Sequence, residues 1–158
     1  MCNTDRTIKT AGMQEISPML CELIDAGMRV KLTVTGASMY PMLHDRADSV
    51  VLARADKVKR WDLPLYKRDD GQYVLHRIMR VKKGCYDMCG DNQRMLEKGI
   101  RRDQIVAVAV EFYRNGKCIS CDNLVYRFLA AVWAIMRPIR PPVLKTYAFL
   151  RRNLSKRK

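Results

Sequence analysis

Short segments in which apolar and polar residues alternate fill the middle of this 158-residue chain, and they constrain its fold more than any other feature. Residues 29–35 alternate between apolar and polar side chains, which predicts a half-buried strand running into Gly36. Asn115-Gly116 is a strong signal for a two-residue hairpin turn, and Pro64 predicts a sheet edge or a bulge. The pattern predicts a compact β domain over residues 28–122. Its further predicted strands are 49–54, 62–67, 72–81, 85–89, 105–114 and 118–120.

Helical patterns flank this β domain on both sides. Residues 13–27 carry apolar side chains at helical spacing, with Pro18 in an early turn and Gly27 as a stop. Residues 124–136 predict a second helix, and residues 143–154 a third beyond a set of prolines. The expected fold class is therefore mainly β (α+β). It comprises an N-terminal helical segment (1–27), the β domain (28–122) and a basic helical C-terminal extension (123–158).

The charge of the chain is strongly uneven. Thirty Lys and Arg face sixteen Asp and Glu, and eight of the cations lie in the last 22 residues with no acidic residue among them. Such a field attracts anionic lipid head groups or nucleic acid. Nucleic acid is the weaker expectation, because the basic segment has no interleaved aromatic platform or recognition helix. Either the apolar residues 124–136 lie on an anionic membrane surface, or they pack on the β domain beneath a solvated basic tail.

The ends of the chain indicate where the protein resides. No run of eighteen uncharged apolar residues occurs, so no transmembrane helix is predicted. Residues 1–10 are polar and of mixed charge, unlike a secretory signal peptide. These patterns predict a protein that is cytoplasmic or peripheral on the cytoplasmic face of the membrane.

Two close pairs of cysteines raise the question of a zinc site. Cys85 and Cys89 form one pair, and Cys118 and Cys121 the other. The second pair falls on a predicted strand, where residues three apart face opposite ways. Neither pair encloses the glycine-bearing turn of a zinc knuckle, so we predict no metal and no cofactor.

The residues around Ser38 carry the clearest chemical signal. Residues 34–42 read Val-Thr-Gly-Ala-Ser-Met-Tyr-Pro-Met and place a serine just after a strand. Gly36 allows a tight backbone approach, and Pro41 stiffens the chain beyond the hydroxyl. A serine hydroxyl is a weak nucleophile until a nearby base takes its proton.

The chain offers two histidines as that base. His76 lies within a predicted strand, on the same inward face as Val74 and Ile78, so it is either a catalytic base or a hydrogen-bonded core histidine. His44 follows Ser38 in a loop and is predicted to be a solvated bystander. A third group is Asp91 in Gly-Asp-Asn, which either orients an imidazole or belongs to an ordinary turn.

Taken together, the order and spacing of these pieces resemble the type I signal peptidase superfamily, which includes the self-cleaving repressors of the bacterial DNA-damage response. The shared pieces are a Ser-Met-x-Pro box (38–41), Gly-Asp-like boxes at 47–51 and 60–63, His-Arg-Ile (76–78) and Gly-Asp-Asn (90–92). The histidine setting is similar to that of the endoplasmic-reticulum and spore-former types. The resemblance covers roughly residues 28–114.

The resemblance implies a signal-peptidase-like complex β fold and a bacterial-type serine endopeptidase. Ser38 would be the nucleophile, His76 its base and Asp91 an aid to His76. Gly36, Ala37, Met39 and Pro41 would shape the nucleophile loop and the oxyanion site, with the Ser38 N–H as one donor. The expected partner is a peptide or protein segment that ends in small residues, as in peptide maturation.

Four features depart from that family, and the first of them, at Gly36, favours a second interpretation. Gly36 stands where signal peptidases commonly have a hydroxyl, and Trp61 stands where the second Gly-Asp box has glycine. The expected N-terminal membrane anchor is also missing from residues 1–37, and a single predicted helix there leaves no room for a helix-turn-helix. The alternative function is therefore a catalytically weakened binding module on the same fold.

Overall fold

The computed structural model of the protein describes residues 7–8 and 13–139, and the predicted helix 143–154 lies outside them. Two α-helices, α1 (Met13–Asp25) and α2 (Leu124–Ile135), lie on either side of the strands in sequence, with 3₁₀ turns at Arg102–Gln104 and Arg137–Ile139. The strands are β1 (Thr7–Ile8), β2 (Val30–Thr33), β3 (Ser49–Ala53), β4 (Pro64–Lys67), β5 (Tyr73–Leu75), β6 (Arg77–Lys82), β7 (Cys85–Cys89), β8 (Glu97–Arg101), β9 (Ile105–Arg114) and β10 (Lys117–Ser120).

The strands form two sheets. The larger has the order β1-β2-β3-β9-β4-β5, and β10 also pairs with β9. The ten-residue strand β9 organises it: β3 lies along one edge, while β4 and β10 share the other. The smaller sheet is the meander β6-β7-β8. All described pairings are antiparallel except β1 with β2, and this architecture confirms the mainly β class.

The predicted single strand 72–81 is wrong, because the chain changes sheets in its middle. Strand β5 ends at Leu75 and pairs with β4, whereas β6 starts at Arg77 and pairs with β7. His76 lies at the junction and belongs to neither strand. Alternation continues across the break, so periodicity alone cannot detect a change of pairing partner. The junction aims His76 between the two sheets rather than along one face.

The predicted turn chemistry is confirmed at two places. Asn115 and Gly116 have φ of 49° and 75°, and Arg114 pairs with Lys117 across them. Both residues need positive φ in this hairpin turn, which Asn and Gly tolerate best. Pro64 begins β4, and the register against β9 shifts just beyond it, so the expected bulge is present.

One apolar core joins both helices to the larger sheet. Each helix contributes through one stripe: Leu20 and Ile24 of α1, and Tyr126 and Ala130 of α2, are buried. Full burial of a leucine-sized side chain stabilises the fold by about 1.5–3 kcal/mol. The start of α2 is fixed by Asn123, whose side-chain oxygen accepts the N–H groups of the second and third residues beyond it. The strand contribution includes Val30, Leu32, Val50, Leu52, Leu65, Ala107, Ala109 and Phe112, and Leu63 joins it from just before β4.

Candidate active site

Ser38 and His76 line the same cavity, of about 290 Å³. Two segments that are distant in sequence supply them, since Ser38 follows β2 and His76 follows β5. Apolar side chains form much of the wall, and Arg68 and Gln93 add polar groups. The structure therefore brings the predicted nucleophile and base to one site. The apolar wall includes Leu32, Val34, Met39, Val50, Leu52, Leu65, Val74 and Leu75.

A tight turn carries Ser38. Gly36 adopts φ of 89°, a left-handed conformation that glycine tolerates best, and its N–H donates to Asp45 Oδ1 at 2.8 Å. Met39 is 2% exposed and anchors the turn by packing into the apolar core. The Tyr40 N–H donates to the Ala37 carbonyl at 3.2 Å and closes the turn. Pro41 follows directly, so the four predicted loop residues do surround the serine.

The Gly-Asp-Asn segment holds this turn by its backbone. Asn92 N–H donates to the Ser38 carbonyl at 2.7 Å, and its side-chain amide donates to the Ala37 carbonyl at 3.2 Å. A Cβ on Gly90 would lie 2.7 Å from the same Ser38 carbonyl oxygen. Because real Cβ atoms do not approach so closely, only glycine lets the two backbones meet here. The motif thus positions the turn that carries Ser38.

A second clamp lies behind the serine turn, at Asp48. This 1% exposed carboxylate accepts the backbone N–H of His44 and the guanidinium of Arg114, at 2.8 and 2.6 Å. Arg114 also donates to the Met42 carbonyl at 2.6 Å. Burial works to raise the pKa of Asp48, but the hydrogen bonds from Arg114 and His44 outweigh it and lower the pKa. The His44 side chain is 42% exposed, which agrees with the predicted bystander.

His76 is 1% exposed and hydrogen-bonded on one side of its ring. Its Nδ1 lies 3.0 Å from Glu97 Oε1 and 3.1 Å from the Tyr66 hydroxyl. Tyr66 in turn donates to Glu97 Oε2 at 2.8 Å. Arg68 grips both oxygens of the same carboxylate, through Nε at 2.7 Å and Nη2 at 2.5 Å. Glu97 is therefore the centre of a cluster that faces the imidazole.

Donor counting fixes the tautomer of His76. Burial works to raise the pKa of Glu97, but hydrogen bonds from Arg68 and Tyr66 outweigh it and lower the pKa, so the carboxylate is ionised and can only accept. The single Tyr66 hydroxyl proton goes to Glu97. Nδ1 must then carry the proton that it shares with these two oxygens. Nε2 is left unprotonated, the form that a general base requires.

The electrostatics of His76 suit a base at neutral pH. Burial lowers its pKa below the ordinary 6.5, because the charged ring loses its hydration. The Glu97 carboxylate opposes this effect and favours the imidazolium. The ring is consequently neutral at rest at pH 7. When it takes up a proton, the adjacent carboxylate stabilises the charge.

Asp91, predicted as an aid to His76, is hydrogen-bonded to Arg77, and its charge also works to raise the pKa of His76. Its two oxygens accept Nε and Nη2 of Arg77, at 2.9 and 2.7 Å, and both side chains are at most 1% exposed. Arg77 Nη1 continues to the Trp61 carbonyl at 2.9 Å. The carboxylate hydrogen-bonded to the imidazole is Glu97. The Arg77–Asp91 pair instead ties the segment after His76 to the turn that clamps Ser38.

Trp61 explains one departure from the family pattern. It adopts φ of 77°, the left-handed conformation that favours glycine, which is the residue expected in this box. Its N–H donates to the Ile78 carbonyl at 2.9 Å, and its own carbonyl accepts Arg77. The backbone thus keeps the shape typical of glycine while bearing a bulky side chain, at a cost on the order of 1–3 kcal/mol.

Sequence reasoning missed Glu97, Tyr66 and Arg68. Tyr66 lies on a strand that was predicted, but nothing in the alternation relates it to a histidine ten residues later. Glu97 lies on β8, which the sequence did not reveal, between exposed or half-buried neighbours. The one signal available was its placement shortly after the Gly-Asp-Asn turn. Only the pairing of β7 with β8 brings it to the imidazole.

Within 7–8 and 13–139, no three His, Cys, Asp or Glu side chains converge in a way that could hold a metal ion. No helix in that same part has the length and apolar character to cross a bilayer. Comparison with known proteins finds no matching family model and no matching curated protein.

Proposed function

We propose that the protein is a serine endopeptidase of the signal-peptidase type, with Ser38 as nucleophile and His76 as general base. One observation carries the proposal: a cavity is lined both by a serine on a clamped turn and by a buried neutral histidine. The histidine is bound through Nδ1 to an ionised carboxylate. A neutral imidazole whose other nitrogen faces a carboxylate is the kind of base that activates a serine. The chain's resemblance to signal peptidases supports the same assignment.

The reaction would follow from the roles of these groups. His76 Nε2 takes the Ser38 hydroxyl proton as Oγ bonds to the peptide carbonyl carbon. The Ser38 N–H donates to the oxygen that becomes negative. The imidazolium then returns its proton to the leaving nitrogen as the C–N bond breaks. A water molecule, deprotonated by the same ring, then bonds to the ester carbon, and the imidazolium returns that proton to Ser38 Oγ as the acyl–oxygen bond breaks.

The substrate class rests on the resemblance and on the size of the site. Signal-peptidase-like enzymes cut after small residues, and a cavity of about 290 Å³ with apolar walls suits short apolar side chains. We therefore propose a peptide or protein segment with small residues before the cleaved bond. Maturation of a peptide precursor is a process that would supply such a segment.

Labelling with a phosphonate or acylating serine probe tests the proposal. We expect one adduct on the wild type by intact mass, and none on Ser38→Ala or His76→Ala. His44→Ala is the matched control, because the other histidine is partly exposed and bonded to Asp48. It should label like the wild type. Folding of every variant is verified by circular dichroism, and no adduct on folded wild type would contradict the proposal.

The second candidate function is a binding module that has lost catalysis. The observation favouring it is Gly36, which brings no side-chain hydroxyl to the oxyanion region and whose N–H is engaged by Asp45. A module of this kind would bind peptides in the same cavity without labelling. Peptide binding that survives Ser38→Ala, together with an unreactive wild type, would select this function.

A further inference from the structure

Helix α2 exposes a wide apolar face. Its buried side consists of Tyr126, Ala130 and Ala134, which face the protein. Its outer side carries large apolar residues, including Phe128 at 68% and Ile135 at 67% exposure. A contiguous apolar face of this kind marks an interaction site more often than isolated exposed residues do. The full exposed set is Leu124, Val125, Phe128, Leu129, Val132 and Ile135, with Ile139 just beyond.

An apolar groove runs along the same helix. It has a volume of about 540 Å³ and lies between α2 and the end of the β9–β10 hairpin. Val125, Leu129 and Val132 form its helix side, and Phe112 and Ile119 its sheet side. The exposed face and the groove together form an apolar surface that includes a concave region.

A cationic cleft continues this surface at the end of α2. Its volume is about 240 Å³, and three arginines line it: Arg60, Arg80 and Arg137. Ile135 belongs both to this cleft and to the exposed apolar face, so the two are continuous. Arg60 packs over the Trp61 ring at 4.1 Å and donates to the Met79 carbonyl at 3.0 Å, which fixes its guanidinium at the rim. Among the described residues that line the cleft there is no carboxylate.

We propose that this surface binds a membrane that contains anionic phospholipids. The apolar face of α2 would contact acyl chains, and the arginine cleft would receive the head-group phosphate. Stable attachment without a spanning helix needs two signals, apolar burial and a basic patch, and both occur here. The chain after α2 strengthens the second signal, since residues 137–158 hold eight Lys and Arg and no acidic residue.

The charge pattern favours a membrane over the other occupants of an apolar face. A second copy of the chain would bring its own +14 charge and its own arginine cleft against the first. A fold-back of residues 140–158 would bring seven cations toward the same three arginines. An anionic lipid surface supplies both apolar contact and opposite charge.

Vesicle co-sedimentation of the full chain tests this proposal. We expect binding to vesicles of equal parts phosphatidylglycerol and phosphatidylcholine, weak binding to phosphatidylcholine alone, and loss of binding as salt is raised. Arg60→Gln and Arg80→Gln should each weaken binding by about fivefold. Phe128→Glu should abolish it. Met28→Glu is the matched control, because Met28 is exposed and lies outside α2 and these clefts, and its binding should be unchanged.

Three results would overturn the proposal. Equal binding to both kinds of vesicle would remove the role of the arginine cleft. Absence of binding, with a dimer that Phe128→Glu dissociates, would assign the face to a second copy. Absence of binding, with a thermal midpoint that Phe128→Glu lowers well beyond Met28→Glu, would assign it to the protein's own chain. Labelling of Ser38 is scored separately, because neither result depends on the other.

Discussion

Two acidic side chains six residues apart have opposite surroundings. Asp91 is sealed in the interior against Arg77, with both side chains at most 1% exposed. Glu97 is 24% exposed, borders the cavity through Arg68, and shares its two oxygens among His76, Tyr66 and Arg68. The first carboxylate is hydrogen-bonded to Arg77, and it acts on His76 through its charge. The second contacts the imidazole that we propose as the general base.

The difference indicates a structural role for Asp91 and, in the proposed mechanism, a chemical role for Glu97. Protonating one partner of a buried ion pair would leave the other charge uncompensated, which is costly. Asp91 therefore stays ionised and links two backbone segments through Arg77. Glu97 is partly solvated and hydrogen-bonded to three side chains, and its negative charge stabilises the imidazolium form of His76. The Gly-Asp-Asn motif would therefore be a positioning element, and the acidic partner of the base would come from β8.

Glu97→Gln should show the largest effect. The amide can offer an N–H to Nδ1, which would favour the tautomer with its proton on Nε2 and deprive Ser38 of its base. We expect the rate of probe labelling to fall by about 10³-fold. Glu111→Gln is the matched control, because Glu111 pairs with Arg29 on the surface, and it should label normally.

The pH profile sharpens this result. Because burial depresses the pKa of His76, labelling of the wild type should stay full at pH 7 and decline only as pH falls below the ordinary 6.5. Loss of the Glu97 charge removes a force that favours the imidazolium, so the residual activity of Glu97→Gln should decline at still lower pH. A profile unmoved by the substitution would reduce Glu97 to a structural role.

Asp91→Ala should mainly affect folding. Removing one partner leaves Arg77 buried and uncompensated, which costs about 3–5 kcal/mol of the free energy of unfolding. Urea denaturation measures this as a lower midpoint. Asp122→Ala is the control, because that carboxylate is 77% exposed where it meets Lys59, and its removal should cost less than about 1 kcal/mol.

The contrast between Asp91 and Glu97 would be wrong if Asp91→Ala impaired labelling rather than stability. A protein that stays stable yet loses labelling, with a shifted pH profile, would assign Asp91 to the base rather than to the fold. Asp91→Asn distinguishes the cases further, since it keeps the shape of the side chain while removing the charge that Arg77 needs.

Gly90→Ala should have a smaller but mixed effect. The new Cβ meets the Ser38 carbonyl at 2.7 Å and must push the nucleophile turn away. We expect a loss of about 1–3 kcal/mol in stability together with slower labelling. Gly84→Ala is the control: it has φ of 80° and open space, so it should cost about 1–2 kcal/mol and leave labelling unchanged. Equal labelling by both variants would contradict the positioning role of Gly90.

Much of the secondary structure was accessible from local pattern. Strand β3, the hairpin at Asn115-Gly116 and helix α1 follow from alternation, turn residues and helical spacing, which are properties of neighbours in sequence. The order of the motifs also led us to expect Ser38 and His76 at one site, and both line the same cavity. In contrast, β8 and the break at His76 were not predicted, since strand exchange between sheets leaves the local pattern intact.

The sequence by itself determined a mainly β fold, a serine on a glycine-bearing turn and a histidine on an apolar strand that we proposed as its base. Tertiary structure decided which carboxylate contacts that histidine. The physical reason is that a carboxylate's role depends on its partners and its solvation, and both come from distant segments. Arg77 reaches Asp91 by the pairing of β6 with β7, and Glu97 reaches His76 by the pairing of β7 with β8.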